Sequence, residues 1–307
     1  MEANEFLANY WQKQPLLIPG ALAELPALSA DELAGLALET EIESRLILEH
    51  PSSSNWELHH GPFTEQRLQS LPNSHWTLLV QAVDQWLPDV HDLLESFNFL
   101  PRWRLDDIMV SCAADQGSVG PHFDSYNVFL LQTAGRKRWR IGQYCGADTE
   151  LVVNSPLRLL SEFEQQEEYL LEPGDMLYLP PRIAHWGVSE GESMTFSIGF
   201  RSPTAVELLN DLATELLSEP EFASKVFNDP PLSTDLARGV IDPVFIEATR
   251  DLLISQLSDD ALLARWFARF MTTRKYPDLE LITDKHKLPW QLALARGEQL
   301  AWHPASR

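Results

Sequence analysis

The stretch from residue 104 to residue 200 has the most regular pattern of apolar and polar positions in the chain. Residues 128–131 and 137–141 are short apolar or alternating runs on either side of a glycine-containing turn, which predicts a β-hairpin. Residues 170–181 place a Pro-Gly turn between two apolar runs and end at two prolines, which predicts two further strands. Residues 194–200 alternate as a last strand would, so the whole stretch is predicted to be rich in strands.

The segments on either side of this stretch favour helices. Residues 1–100 predict a mostly helical region, with one helix beginning at Ser29, where acidic residues occupy the first turn. A second helix is predicted from Trp76, after the turn-forming residues 72–74, with Pro88 in the turn that follows it. Beyond the strand-rich stretch, apolar positions recur at helical spacing in three runs, at residues 205–217, 243–255 and 259–271.

The composition indicates a folded protein without a membrane span. The chain has 307 residues, of which 44% are hydrophobic, and this is enough for a substantial core in two or three units. No run reaches the roughly 18 apolar residues of a membrane span, and residues 1–5 lack the basic and apolar character of a signal peptide. A cytoplasmic location is therefore expected, with Cys112 and Cys145 both reduced.

The net charge of −22 restricts the partners that the chain can bind. An acidic protein repels phosphate backbones, so direct binding to nucleic acid is not expected. The same field attracts basic proteins and accelerates their encounter with the chain, although acidity can also serve solubility alone.

Candidate metal ligands occur at two places in the strand-rich stretch. His122 and Asp124 flank Phe123, and His185 follows the two prolines that end a predicted strand. Side chains two positions apart on a strand point the same way, so His122 and Asp124 can chelate one ion while Phe123 faces away. Two imidazoles and one carboxylate are the donor set of non-haem Fe(II) oxygenases. Taken alone, a His-x-Asp triplet is also typical of a surface turn.

Several segments together resemble a known family. Residues 173–185, which read Pro-Gly-Asp-x-Leu-Tyr-x-Pro-x-x-x-x-His, resemble the cupin-like half of the barrel in JmjC-type 2-oxoglutarate oxygenases. Residues 6–18 resemble the entry segment of the ribosomal oxygenases within that group. Residues 31–37, 76–83 and 119–124 most closely resemble the bacterial ribosomal-protein arginine hydroxylases. The resemblance covers roughly residues 5–300 and is specific only when these segments are taken together.

This resemblance implies a mixed α+β fold built on a double-stranded β-helix, a JmjC or cupin-like barrel. Residues 1–100 would form an N-terminal helical cap and residues 101–203 the catalytic barrel, with residues 143–166 as an inserted loop near the mouth of the site. Residues 204–275 would form a helical dimerisation region, although their apolar faces could equally be packed within one chain. Residues 276–307 would begin a winged-helix-like domain and are too short to complete it.

The resemblance also implies the chemistry and the partner. Fe(II) would be bound by His122, Asp124 and His185, with 2-oxoglutarate as cosubstrate and dioxygen as oxidant. Decarboxylation of 2-oxoglutarate to succinate would be coupled to hydroxylation of a substrate carbon. The family's substrate is an arginine of the sixteenth large-subunit ribosomal protein, so the expected partner is a basic ribosomal protein. The helical dimerisation region implies that the enzyme is a homodimer.

Lys137 is the leading candidate to bind the distal carboxylate of 2-oxoglutarate. It lies fifteen positions after His122, where JmjC oxygenases have a cosubstrate-binding lysine or arginine. Strand alternation puts Lys137 on one face with Trp139 and Ile141, where an unpaired ammonium is costly to bury. A bound anion would offset that cost. Alternatively, Lys137 could belong to a basic hairpin that faces solvent, and it would then need no anion. Arg138 is the alternative cation.

Other polar side chains are weaker candidates. Ser197 lies on the last predicted strand and could donate a hydrogen bond to the distal carboxylate, although hydroxyls are also ordinary in strands. An arginine substrate would need a carboxylate for its guanidinium group. Asp106, Asp107 and Asp115 lie near the first barrel strands and are candidates for that contact.

Alternative functions remain open from the sequence. The same chemistry suits a JmjC-type histidine hydroxylase or a demethylase, because demethylation begins with hydroxylation of an N-methyl carbon. A metal-binding cupin enzyme that does not use 2-oxoglutarate and a non-catalytic binding barrel are the other two classes. Lys137 and the complete His-Asp-His set favour the 2-oxoglutarate-dependent protein hydroxylase over both.

Overall fold

In the computed structural model the chain divides into two units, Met1–Ser202 and Pro203–Arg307. The structure describes residues 2–53, 55–218, 220, 224–232, 239–273 and 275. The predicted start of a winged-helix-like domain at residues 276–307 therefore lies outside the described residues.

The first unit is organised around one antiparallel sheet. Its strands follow the spatial order β1-β8-β6-β9-β5-β4-β2-β3, and β7 pairs with β6 beside this path. The strands are β1 (Leu16–Ile18), β2 (Ser44–His50), β3 (Asn55–His60), β4 (Trp76–Val80), β5 (Leu105–Ala113), β6 (Val128–Tyr144), β7 (Glu167–Leu171), β8 (Met176–Leu179) and β9 (Ile183–Phe200). Four short helices accompany them: α1 (Ala3–Asn9), α2 (Ala30–Leu36), α3 (Glu65–Gln69) and α4 (Pro88–Asp92).

The longest strands, β6 and β9, pair with each other along almost their whole length. The ladder runs from Val128 opposite Gly199 to Tyr144 opposite Ile183, with register shifts near Gly135. The predicted hairpin over residues 128–141 is therefore wrong, because one strand continues through the expected turn. Gly135 adopts a φ of 61°, which lets the strand bulge there without reversing its direction.

The first 100 residues contribute strands as well as helices, so the prediction of a mostly helical segment is wrong. Strands β2, β3 and β4 extend the sheet beyond β5. The predicted helix at Trp76 is β4, and Pro88 begins α4 instead of lying in a turn. Residues 77–80 are all buried, and a short, continuously apolar run does not distinguish a buried strand from a helix. The helix start at Ser29 is confirmed, since Ser29 and Glu32 form a capping box.

An aromatic cluster ties the N-terminus of the chain to the core of the sheet. Phe6 on α1 packs edge-on against Tyr178 of β8, with ring centres 4.9 Å apart. Tyr178 also contacts Phe129 of β6 at 4.9 Å, and Phe97 lies 5.0 Å from Phe129. These rings belong to one buried apolar cluster that includes Phe200 at the end of β9. The N-terminal segment is thus part of the barrel's core, and removing it would expose large apolar surfaces.

The second unit is helical. Leu212, Leu262 and Trp266 form its buried centre. The indole Nε1 of Trp266 donates a hydrogen bond to Oδ1 of Asp211 at 2.7 Å, which pairs the polar end of that buried ring. Among the described helices of the chain, none combines the length and the hydrophobicity of a membrane-spanning segment. The helices of this unit are α5 (Ala205–Leu217), α6 (Pro243–Gln256) and α7 (Asp260–Thr272).

Replacing Gly135 by alanine is expected to lower the free energy of unfolding by more than about 2 kcal/mol. The left-handed backbone alone costs an L-residue roughly 1–2 kcal/mol, and a Cβ there would lie 1.9 Å from the carbonyl oxygen of Glu192. Gly35 is the matched control, because it lies in α2 with nothing within 4 Å of the added Cβ. Gly35→Ala should raise stability by roughly 0.5–1 kcal/mol. Urea unfolding measures both, and equal stabilities of the two variants would contradict the bulge at Gly135.

Candidate active site

The three predicted metal ligands converge in the structure. One ligand atom from each of His122, Asp124 and His185 can be chosen so that all three lie within 4.8 Å of one another. Nε2 of His185 lies 3.6 Å from a carboxylate oxygen of Asp124, and the two imidazole centres are 4.3 Å apart. No other group of three such side chains in the described part of the chain meets this criterion. The arrangement has the size of a mononuclear metal site.

Backbone pairing brings the two ligand-bearing segments together. His122 and His185 form an isolated antiparallel bridge, with N–H···O distances of 3.0 Å and 2.8 Å. The amide of Arg182 donates to the carbonyl oxygen of Asp124 at 2.7 Å. His185 belongs to β9, whereas His122 and Asp124 lie between β5 and β6 and are not part of a longer strand. The sequence predicted that His122 and Asp124 lie on one strand. In the structure the pair lies outside the named strands, and His122 is joined to β9 by the isolated bridge.

Both histidines direct one ring nitrogen towards a backbone carbonyl. Nδ1 of His122 lies 2.9 Å from the carbonyl oxygen of Gly120, and Nδ1 of His185 lies 2.9 Å from that of Ile183. A proton on Nδ1 satisfies these contacts and leaves the Nε2 lone pair available to a metal. Burial, followed by the nearby His122, lowers the pKa of His185 to about 4, against the opposing effect of Asp124. His185 is therefore neutral at physiological pH, as a metal ligand must be.

Lys137 lies on the same face of β6 as Ile141, the residue opposite His185. In the β6–β9 ladder Ile141 lies opposite His185, and Lys137 lies opposite Ser189. Lys137 is buried, and burial lowers its pKa to about 8. Its ammonium lies 5.2 Å from the ring centre of Trp139, and no carboxylate of the described residues forms an ion pair with it.

Trp139 adds a second donor on the same inner face. Its indole Nε1 is buried and has no hydrogen-bond partner among the described residues. The ring centre of Trp139 lies 5.9 Å from that of His185. A buried lysine without an ion pair, beside a buried indole N–H without an acceptor, forms an environment in which an anion is favourable.

The remaining cosubstrate candidates occupy different surroundings. Arg138 faces outward and donates to Glu190 and Glu168, with Nη1 2.7 Å from the Glu168 carboxylate. Ser197 lies opposite Met109 and Leu130, whereas Ser189 lies directly opposite Lys137.

The hydroxyl of Ser189 is 2.7 Å from that of Ser193, and both serines are buried. Sequence reasoning missed Ser189, although its distance of four residues from His185 places both on one face of the strand.

The three candidate carboxylates have different surroundings in the structure. Asp106 pairs with Arg201 at 3.4 Å, and Asp115 is exposed and accepts a hydrogen bond from Gly191 at 2.7 Å. Asp107 is buried and accepts two contacts from the amide nitrogen of Gln81, at 2.9 Å and 3.0 Å.

A tyrosine that sequence reasoning missed, Tyr126, lies near both Asp107 and the candidate ligand Asp124. Burial raises the pKa of Tyr126, and the carboxylates of Asp124 and Asp107 raise it further. The phenol of Tyr126 therefore lies within electrostatic range of both carboxylates. Its position two residues after Asp124 was the signal available in the sequence.

An antiparallel barrel that presents two histidines and one carboxylate defines the class of cupin-like non-haem metal proteins. The JmjC domain family model matches residues 92–208 of this chain. The ribosomal protein uL16 3-hydroxylase of Escherichia coli is 33% identical, over 96% of this chain and 79% of that protein. A probable ribosomal oxygenase of Haemophilus influenzae is 35% identical, over 88% of this chain and 69% of that protein.

Solved structures agree with these relatives. The structure of the Escherichia coli ribosomal oxygenase YcfD in complex with cobalt and 2-oxoglutarate has a TM-score of 0.80 and 32% identity, and the match covers 95% of this chain and 76% of that one. A further structure of E. coli YcfD has a TM-score of 0.82, over 97% of this chain and 79% of that one. The chain therefore belongs to the JmjC-domain ribosomal oxygenases. The predicted fold class, a mixed α+β fold built on a double-stranded β-helix, is confirmed, although the N-terminal flank contributes strands as well as helices.

Proposed function

We propose that this oxygenase uses Fe(II), 2-oxoglutarate and dioxygen to hydroxylate an arginine side chain of the large-subunit ribosomal protein uL16. The observation that carries the proposal is the convergence of His122, Asp124 and His185 within 4.8 Å in a chain of this family. When bound, the iron and its cosubstrate supply the oxidising power, since 2-oxoglutarate is decarboxylated to succinate as dioxygen is reduced.

The donor set fits a divalent metal. The two Nε2 atoms of His122 and His185, together with a carboxylate oxygen of Asp124, would hold the ion on one side. This leaves the other side open to a cosubstrate, as the facial arrangement of two histidines and one carboxylate requires. The carbonyl oxygens of Gly120 and Ile183 hold the two rings in orientation, which is the supporting role that such contacts have in metal sites.

His122→Ala and Asp124→Ala are each expected to abolish succinate release and Co(II) binding while the protein stays folded. The reason is that each variant removes one of three ligands, whereas the barrel core is built from other residues. His60→Ala is the control, because His60 is an exposed histidine on the edge strand β3. Visible absorption of Co(II) and circular dichroism report binding and folding. Full succinate production by His122→Ala would exclude this assignment.

Lys137 is proposed to bind the distal carboxylate of 2-oxoglutarate. Lys137 is buried and forms no ion pair with a carboxylate in the described part of the chain, and the buried indole N–H of Trp139 nearby has no hydrogen-bond partner there. The hydroxyl of Ser189 lies opposite Lys137 and is better placed than that of Ser197 to complete the anion's hydrogen bonds. The inner face of β6 and β9 would thus bind the cosubstrate between Lys137 and the metal ligands.

The affinity for 2-oxoglutarate is expected to fall as the pH rises above about 8. Lys137 has a pKa lowered to about 8, so it is protonated below that pH and loses its charge above it. Lys137→Arg should remove this pH dependence, because a guanidinium stays charged. Lys137→Met should weaken binding by roughly 3–5 kcal/mol near pH 7, since the anion loses its buried partner. Calorimetric titration of the Co(II)-bound protein with 2-oxoglutarate at several pH values measures this affinity. A wild-type affinity that does not change with pH would show that Lys137 does not bind the distal carboxylate.

Asp107 is proposed to receive the guanidinium group of the substrate. It is buried, and it lies within electrostatic range of Tyr126, as does the candidate ligand Asp124. A carboxylate in such a position forms strong, charge-assisted hydrogen bonds with an arginine. The aromatic ring of Tyr126 is partly exposed and could cover the planar cation.

A peptide assay tests the arginine. A uL16 segment with its target arginine should be hydroxylated, and the same segment with lysine should not, because lysine lacks the planar set of donors. Asp107→Asn should reduce kcat/KM by roughly a hundredfold, the effect of losing a charged hydrogen bond of about 3 kcal/mol. Asp106→Asn is the matched control, since Asp106 pairs with Arg201. Equal turnover of both peptides would overturn the arginine proposal.

The net charge of −22 supports a basic protein as the partner and disfavours direct contact with nucleic acid. A ribosomal protein rich in lysine and arginine suits that field. We place this activity in the cytoplasm, where such a substrate is made.

The helical unit is proposed to pair with a second copy of the chain through residues of about 205–270. Its helices present large apolar side chains to solvent, among them Leu209 at 61%, Leu217 at 77% and Leu253 at 62% exposure. Apolar surface of this kind on helices is typical of association faces.

The double variant Leu209→Asp with Leu253→Asp should therefore convert a dimer into a monomer, as measured by light scattering at micromolar concentration. Val153→Asp is the control, because Val153 is an exposed apolar residue, at 81%, and lies in the other unit. A monomeric wild-type protein would contradict the proposal.

A further inference from the structure

The segment of residues 145–166 connects β6 to β7 and is joined by hydrogen bonds to the neighbours of the metal ligands. The amide of Leu160 donates to the carbonyl oxygen of Pro121 at 2.9 Å, next to His122. The amide of Cys145 donates at 2.7 Å to the carbonyl oxygen of Arg182, whose own amide donates to Asp124. The inserted segment thus contacts the backbone beside both members of the His-x-Asp pair.

The same segment forms an apolar pocket around Phe123, the residue between the two ligands. Cys145, Leu160 and Ala184 are its buried members. Phe123 packs into this cluster together with the partly buried side chains of Leu151 and Phe163. Ala184 directly precedes His185, so one cluster lies behind all three candidate ligands. The prediction that Phe123 faces away from the metal ligands agrees with this packing.

The backbone of the His-x-Asp pair has little other regular support. The described backbone contacts of the pair are the bridge between His122 and His185 and the hydrogen bond from the amide of Arg182 to the carbonyl oxygen of Asp124. Upstream, the hydroxyl of Ser118 donates to the carbonyl oxygen of Gly187 at 2.8 Å and accepts from the amide of Gly120 at 3.0 Å. These contacts hold the approach to His122. They fix the backbone before His122, whereas the side chain of Phe123 is held by the apolar cluster.

We propose that residues 145–166 are a positioning element of the metal centre, which acts by holding the side chain of Phe123. On an extended segment the side chains at i and i+2 point opposite to the one between them. Fixing the ring of Phe123 in its pocket therefore aims His122 and Asp124 together at the position of the ion. This inference rests on the proposed function, because it assumes that these two residues bind a metal.

Co(II) binding without 2-oxoglutarate or substrate is the measurement that tests this role. Phe123→Ala and Leu160→Ala both leave the three ligands intact and remove one side of the contact. Each is expected to weaken Co(II) binding by roughly tenfold, the range found when the support of a metal ligand is removed. Phe123→Leu should retain most of the affinity, because it still fills the pocket. The double variant Phe123→Ala with Leu160→Ala should bind no more weakly than the single ones if both act through one contact.

Phe63→Ala is the matched control for a general loss of stability. Phe63 is likewise a partly buried phenylalanine, and it packs against the main core away from this cluster. It should lower the melting temperature of the metal-free protein while leaving Co(II) affinity unchanged.

The outcomes separate the two proposals. Wild-type affinity in both Phe123→Ala and Leu160→Ala would overturn the positioning role, and so would an equal loss of affinity in Phe63→Ala. Absence of Co(II) binding by the wild-type protein would instead overturn the proposed metal site itself. If Phe123→Ala does not fold, the comparison of Leu160→Ala with Phe63→Ala decides the matter by the same criteria.

Discussion

The pairing of β6 with β9 is the constraint on which the site depends. Its register places Ile141 opposite His185 and Lys137 opposite Ser189, so a candidate metal ligand and a candidate anion partner share one inner face. A shift of one residue would turn Lys137 and Trp139 to the other side of the strand. The bulge at Gly135 lets the same ladder continue past a change of register, which is why one strand spans both the core and the site.

Burial lowers the pKa of both titratable groups on that face and so disfavours the charged form of each. It lowers the pKa of His185 to about 4, which keeps the imidazole neutral and its lone pair available. It lowers the pKa of Lys137 to about 8, which makes the charged form costly until an anion pairs with it. A neutral imidazole suits a metal at one end of the face, and a buried lysine suits an anion at the other.

The position of the His-x-Asp pair explains why the surrounding segments are so closely connected. His122 and Asp124 lie outside the named strands and are held by the bridge to His185, by Ser118 and by the cluster around Phe123. An open site for cosubstrate and substrate needs ligands at the edge of the regular sheet. Their orientation must then come from packing and side-chain hydrogen bonds instead of from a continuous ladder.

The sequence by itself determined the features that depend on local chemistry: His122, Asp124 and His185 as candidate ligands, the cation at Lys137, the helix start at Ser29 and the direction of Phe123 away from the pair. It could not decide whether residues 76–80 form a helix or a strand, because a short apolar run suits both. Strand register, the continuation of β6 past Gly135, and the position of Ser189 opposite Lys137 were decided by the tertiary structure. Each depends on which distant strand lies opposite, and periodicity along a single strand carries no information about its partner.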